Sequence, residues 1–416
     1  MGSHPGGRLR RDPAPRAVEP PAAAPPRLPA LRSVIDDRTP ATQARAMVLA
    51  FVSGRGLNAY VLDDLTKHRA RGGRELKLPR CAAAFRVVSM VGTCNGLLCL
   101  RRWHGDFVVV NPVTGEKLAV PPPWMSHKVS MEAAAYSFAY HPETGLYKIM
   151  HFACHRGSRT LGAVKVFTLR ERAWREVPVP VGTSCLSRCG LVSVGGATYW
   201  VAADANSVMS LDLKDERVVF VATLPVHVGP PVLSLHLTVD LHGRLVFAVC
   251  SRETTKRGRM LKGIQAKVGL KKGTHTKVWM LDDGGRSNKN PPAWVLRCKV
   301  VDPGQELPQG IALPHFTHGE HVLTTRVRVE YGRVSLHACR LNKERTHGGV
   351  VRTEDSRTIC LYDGCHSLWT FAYVETTEPL ALDGGNDCDI GDCEGWDWKF
   401  DDGERRWKLI PRTNRQ

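Results

Sequence analysis

One local pattern recurs six times between Met47 and Leu380, and it limits the possible folds more than any other feature of the chain. It is a β-rich run, an Asp or Asn-Pro turn, and a return strand that ends near proline. Tyr60–Asp63 returns as Glu75–Pro79, Val108–Asn111 as Lys117–Pro121, Lys165–Leu169 as Trp174–Pro178, and Val208–Asp212 as Val218–Pro225. Lys277–Asp282 with Trp294–Arg297, and Thr358–Asp363 with Leu368–Phe371, complete the set. Proline cannot donate to a ladder, so the copies that reach one have a firm stop.

The second copy shows the chemistry most fully. In Val91–Pro123, Cys94-Asn95-Gly96 supplies a turn, because Gly takes positive φ at no steric cost and Asn tolerates it. In Asn111-Pro112-Val113-Thr114-Gly115, Pro112 pre-sets φ for the second turn position and Gly115 takes the left-handed one. Pro121-Pro122-Pro123 ends the return strand. Between the copies lie further strand candidates. Tyr140–Tyr147 repeats the Pro-x-Thr-Gly turn, Leu191–Trp200 turns at Gly195-Gly196, and Leu237–Phe247 turns at His242-Gly243. Thr317–Leu323 and Arg328–Leu336 precede the sixth copy. About four strands per unit, at a period of roughly 50 to 60 residues, predict an all-β fold: a β-propeller of about six blades of antiparallel strands. A large β-sandwich is the competing architecture, but it has no need of the same turn chemistry six times.

Residues 1–30 are rich in Pro, Ala and Arg and read as a disordered arm. Residues 31–47 carry a short helical pattern, with Leu31, Val34 and Ile35 on one face. The propeller pattern covers 46–380, interrupted in its fifth unit by a basic insertion at 251–276, and 381–416 form an acidic, Trp-bearing tail read as a flexible appendage. The tail offers no 12-residue frame with EF-hand ligand spacing.

The formal charge is +18, from 58 Lys and Arg against 40 Asp and Glu, and it is spread along the chain, which describes a basic surface. The insertion, with Lys256, Arg257, Arg259, Lys262, Lys267, Lys271 and Lys272, is either a long solvated loop or a nucleic-acid or nuclear-import patch. It lacks interleaved aromatics on which bases would stack, so nucleic acid is not the expected partner. The 13 cysteines show no paired CxxC spacing, no apolar stretch is long enough to span a membrane, and no signal-peptide core stands near Met1. These features predict a reduced cytoplasmic or nuclear compartment, no membrane, no metal and no cofactor. Motifs for a nucleophile elbow, a phosphate-binding loop or a zinc protease are absent. The pairs Asp63-Asp64 and Asp282-Asp283 fall at hairpin corners, where Asp bonds local backbone. His315, His318 and His321 would share a helical face, but Gly319 and the following strand favour a loop.

Thr93–Cys99, then Asn111–Glu116 and Pro121–Pro123, resemble the signature of the F-box associated domain of plant F-box proteins. Tyr136–Lys148, Trp174–Pro178, Ala197–Trp200 and Lys277–Leu281 are similar to the same family in the same order, and Gly195-Gly196 with Tyr199-Trp200 also resembles a kelch blade. The resemblance implies a non-catalytic protein-recognition module, a substrate receptor of an SCF-type E3 ubiquitin ligase. Its implied partners are a protein substrate of unknown identity, a Skp-type adaptor and a cullin scaffold. Leu31–Asp37 resembles only the final part of an F-box, the upstream leucine-rich helices being replaced by the proline-rich arm. Leu31, Val34 and Ile35 are therefore the positions onto which an adaptor contact carries over. Two other classes stay open. A propeller-fold hydrolase would need carboxylates converging on the central channel, and nucleic-acid binding would run through the insertion.

Overall fold

The computed structural model describes residues 46–53, 57–65, 73–76, 78, 87–102, 105–123, 134–154, 159–226, 232–240, 243–253, 273–282, 292–302, 310–328, 333–341, 349–352, 356–363, 367–377, 380, 396–401 and 406–411. The arm, Leu31–Asp37, residues 254–272 of the insertion and the tail up to 395 lie outside them. Within the described residues the fold is all-β, and helical structure is limited to the 3-10 turn Ser187–Cys189.

The chain enters with β1 (Met47–Ser53), β2 (Leu57–Leu62) and β3 (Arg74–Leu76), three antiparallel strands of the first blade. The second blade is β4 (Val87–Cys94), β5 (Leu97–Arg102), β6 (Phe107–Val110) and β7 (Lys117–Val120). The third is β8 (Ala134–His141), β9 (Leu146–Cys154), β10 (Leu161–Thr168) and β11 (Ala173–Pro178). The fourth is β12 (Val192–Val194), β13 (Ala197–Val201), β14 (Ser207–Asp212) and β15 (Val218–Thr223). The fifth is β16 (Val232–Val239), β17 (Leu245–Glu253), β18 (Gly273–Asp282) and β19 (Ala293–Asp302).

The sixth blade is less regular. Its inner position is divided between β20 (Gly310–Ile311) and β22 (Thr317–His318), and both pair with β23 (His321–Arg328). Outside β23 lie β24 (Arg333–Arg340) and β26 (Arg357–Asp363). Between these two, β25 (Gly349–Arg352) leaves the blade to pair in parallel with β19. Then β27 (Ser367–Tyr373) pairs with β1 and becomes the inner strand of the first blade, joined by the short parallel partner β21 (Leu313–Pro314). The sixth hairpin expected from the sequence, Thr358–Asp363 with Leu368–Phe371, is therefore not a hairpin. β26 is the outer strand of one blade and β27 the inner strand of the next, because ring closure is made from opposite ends of the domain. Within the tail, β28 (Trp396–Asp401) and β29 (Arg406–Pro411) form an antiparallel hairpin, an order that its acidic composition does not announce.

Each blade is covered on both faces by its neighbours, so its strands read as near-continuous apolar runs. β1 shows how: Val48, Ala50 and Val52 face the sixth blade, while Leu49 and Phe51 face the second. The core is thus six clusters, one per interface between blades. The one between the fifth and sixth blades is the smallest, with eight buried apolar residues among those described. That thin interface sets up the candidate site.

Candidate functional site

A cavity of about 250 Å³ opens between the fifth and sixth blades. Its apolar side is the edge of the small core cluster, where Val246, Val278 and Met280 stand opposite Leu341. Its polar side is made by Asp240 and Arg244 from the β16–β17 turn, Arg297 from β19, and Thr317 and Glu320 from the sixth blade's first turn. Charge and hydrocarbon therefore meet in one small concave site, the usual form of a recognition pocket.

Arg297 reaches the cavity because of a β-bulge. Along β18 and β19, Val278 pairs with Cys298 and Trp279 with Leu296, so Arg297 is an extra residue facing no partner. The bulge also switches the strand's inside-outside parity. Trp294 and Leu296 pack toward the fourth blade, whereas Cys298 and Val300 pack toward the sixth. The same device occurs between the third and fourth strands of two other blades. There the extra residue is apolar: Val221 packs into the interface of blades four and five, and Ile359 into that of blades six and one. Only in the fifth blade does that interblade position carry a cation.

Two acid-base pairs flank it. Asp240 accepts bonds from Arg244 Nε at 2.8 Å and Nη2 at 2.6 Å and also from the Arg244 backbone N–H at 3.0 Å. Glu320 meets Arg340 at 3.3 Å. Among the described residues the Arg297 guanidinium makes no such pair. Thr317, 6% exposed, has a hydroxyl buried without a hydrogen-bond partner. Beside Arg297, burial pushes the Cys298 thiol up to about 12, so that sulfur is an inert part of the cavity's support.

The His315, His318 and His321 series lies on the β22–β23 turn and its approach, not on a helical face. His318 lies opposite His321 across the β22–β23 turn, and His315 Nε2 stands 3.1 Å from His318 Nδ1. Burial, with His318 adding to it, lowers His315 to about 3 and keeps it neutral. No group of three His, Cys, Asp or Glu side chains able to hold a metal is found among the described residues. Asp63 and Asp282 are exposed at the ends of third strands, where the sequence places them. Leu31, Val34 and Ile35 lie outside the described residues. The cavity itself is not read from sequence: Trp294, Leu296, Cys298 and Val300 alternate without a break, so nothing marks the bulge.

The innermost strands β4, β8, β12, β16, β20, β21, β22 and β27 contain no Asp or Glu. On the face carrying the β4–β5 and β6–β7 turns, the segment after β27 is held down. Gly96 packs beneath Val374 and Thr376, Arg74 pairs with Glu375, and Glu116 accepts the Leu380 N–H at 3.0 Å. Leu380 itself inserts into the core between the second and third blades. The turns singled out in Val91–Pro123 therefore anchor the end of the domain.

Residues 74–260 match the family model of the F-box associated beta propeller domain. An F-box protein of Arabidopsis thaliana is 30% identical over 97 residues, which spans 23% of this chain and 23% of that relative. Among solved structures, a chain of a nidogen/laminin complex aligns at 10% identity with a TM-score of 0.41, covering 74% of this chain and 97% of that one. TolB from Acinetobacter baumannii aligns at 10% identity with a TM-score of 0.39, over 75% and 66% respectively.

Proposed function

We propose that this chain is a non-catalytic protein-recognition module of F-box associated type. Its propeller captures a protein substrate, and its N-terminal segment, through Leu31, Val34 and Ile35, ties it to the Skp-type adaptor and cullin scaffold of an SCF-type ubiquitin ligase. The observation that carries this reading is the family match over 74–260, which runs from the outer strand of the first blade past the second strand of the fifth. The similarity to an Arabidopsis F-box protein supports it. The hydrolase reading needs carboxylates converging on the channel, and the inner strands supply none among the described residues.

The test is retention by an immobilised Skp-type adaptor, comparing the full chain with one lacking residues 1–45. The cut stops there because Met47 already pairs with Tyr373 in the closing sheet. The full chain is expected to be retained and the shortened one lost. Failure of the full chain to bind overturns the ligase connection.

A further inference from the structure

We infer that the cavity between the fifth and sixth blades is an acceptor site for a single carboxylate, the side chain of an Asp or Glu on the protein that the propeller captures. This assignment rests on the recognition reading above and gives it a chemistry.

The internal comparison carries most of the weight. Three blades bulge between their third and fourth strands, and two fill the resulting interblade space with hydrocarbon, Val221 and Ile359. The fifth places Arg297 there instead and leaves a cavity. Arg297 is only partly buried, so it stays hydrated in the free chain and brings an accessible cation to a position its sister blades use for packing. The neighbouring charges leave room for one anion only. Asp240 is matched by Arg244, and Glu320 meets Arg340, which is not part of the lining, so among the described residues Arg297 is the lining cation that makes no ion pair. A carboxylate balances it, and the planar guanidinium can hold both oxygens at once. A dianionic phosphate would set its second charge against Asp240 and Glu320. Thr317 lines the same cavity, but its hydroxyl is closed off from it, so recognition falls to the Arg297 guanidinium. The volume of about 250 Å³ suits one side chain entering beside Val278 and Met280, whose apolar surface takes its methylenes.

The experiment titrates the full chain by calorimetry with N-acetyl-glutamic acid amide, its glutamine isostere, and inorganic phosphate. A ligand of this size in a matched site is expected to bind with a dissociation constant on the order of 1 mM. The glutamine amide and phosphate are expected to be at least about tenfold weaker, since each loses the charge match. Arg297→Val puts in the fourth blade's own residue for this position, so it is expected to fold, with an unchanged circular dichroism spectrum, and to lose the glutamate signal. Equal binding of the glutamine amide, tighter binding of phosphate, undiminished binding by folded Arg297→Val, or no glutamate signal at all each overturns the assignment. Those outcomes leave adaptor retention untouched, and a failed adaptor pull-down leaves the carboxylate site standing, so the two readings fall separately.

Discussion

His151 is fully buried, and neither ring nitrogen has a hydrogen-bond partner. Its ring stacks on Tyr136 at 4.7 Å, and the Arg101 guanidinium lies 4.7 Å over the other partner of that stack. Burial, followed by the nearby Lys165 and Arg101 charges, lowers its pKa from 6.5 to about 3. Between those values the unfolded chain binds a proton that the folded chain refuses. Stability therefore rises with pH across this window and is lost as pH falls from about 6.5 toward 3. His151→Phe keeps an aromatic ring against Tyr136 and removes two unsatisfied nitrogens. It is expected to be neutral or stabilising at pH 7.5, and to flatten the acid limb by up to about 1.4 kcal/mol per pH unit. Urea unfolding at pH 7.5 and at pH 5 checks this, and a variant as acid-sensitive as the parent would refute it. His151 was not legible in the sequence, for the same reason as Arg297. Both sit inside strands whose direction is legible, but what each side chain meets belongs to a neighbouring strand or blade.

At the scale of elements, the recurring Trp shows a different balance. The sequence marks Trp174 and Trp294 as the starts of return strands, and both do open outer strands. It does not reveal that each ties its blade to the one before. Trp174 Nε1 donates to Pro121 O and Trp294 Nε1 to Thr223 O, both at 2.8 Å, and both acceptors lie just past or at the end of the preceding blade's outer strand. Trp174 also packs on Phe107 and Phe167, so its carbonyl partner is shielded, whereas Thr223 is exposed. Trp174→Phe is therefore expected to cost about 1–2 kcal/mol, since a buried acceptor is left unpaired. Trp294→Phe, whose acceptor turns to water, should cost less than about 1 kcal/mol. Urea midpoints of the two variants decide it, and equal or reversed costs would contradict the account. Five of the six expected hairpins form because a strand, its turn residues and its return are adjacent in sequence and carry their own chemistry. The sixth does not, because Leu368–Phe371 is as apolar as a return strand must be, yet its partner is β1. Local pattern identifies strands, and pairing across the ring is decided by closure.

The whole molecule is closed twice, once by β27 beside β1 and once by the segment after it, which runs over the turns of the second blade. The two closures make separable demands. Ending the chain at residue 366 removes the first blade's inner strand and bares the edge of β1, so no cooperative unfolding transition is expected. Ending it at Tyr373 keeps β27 but withdraws Leu380 from the interface of blades two and three, a loss of about 2–5 kcal/mol by analogy with emptied core sites. Gly96 reports on the second closure directly. Its φ is +81°, and an added Cβ would lie 2.6 Å from Thr376 Cγ2 and 2.8 Å from Val374 O. In the full chain Gly96→Ala must therefore bear both the backbone strain and the clash, whereas in the chain ending at Tyr373 it bears only the strain, about 1 kcal/mol. The two changes should be non-additive, with the substitution at least about 1 kcal/mol milder in the shortened chain, a coupling that denaturant unfolding of the four proteins measures. Strict additivity would mean that the segment after β27 does not rest on the Cys94-Asn95-Gly96 turn. The stretch that most resembles a family signature would then be a turn and nothing more.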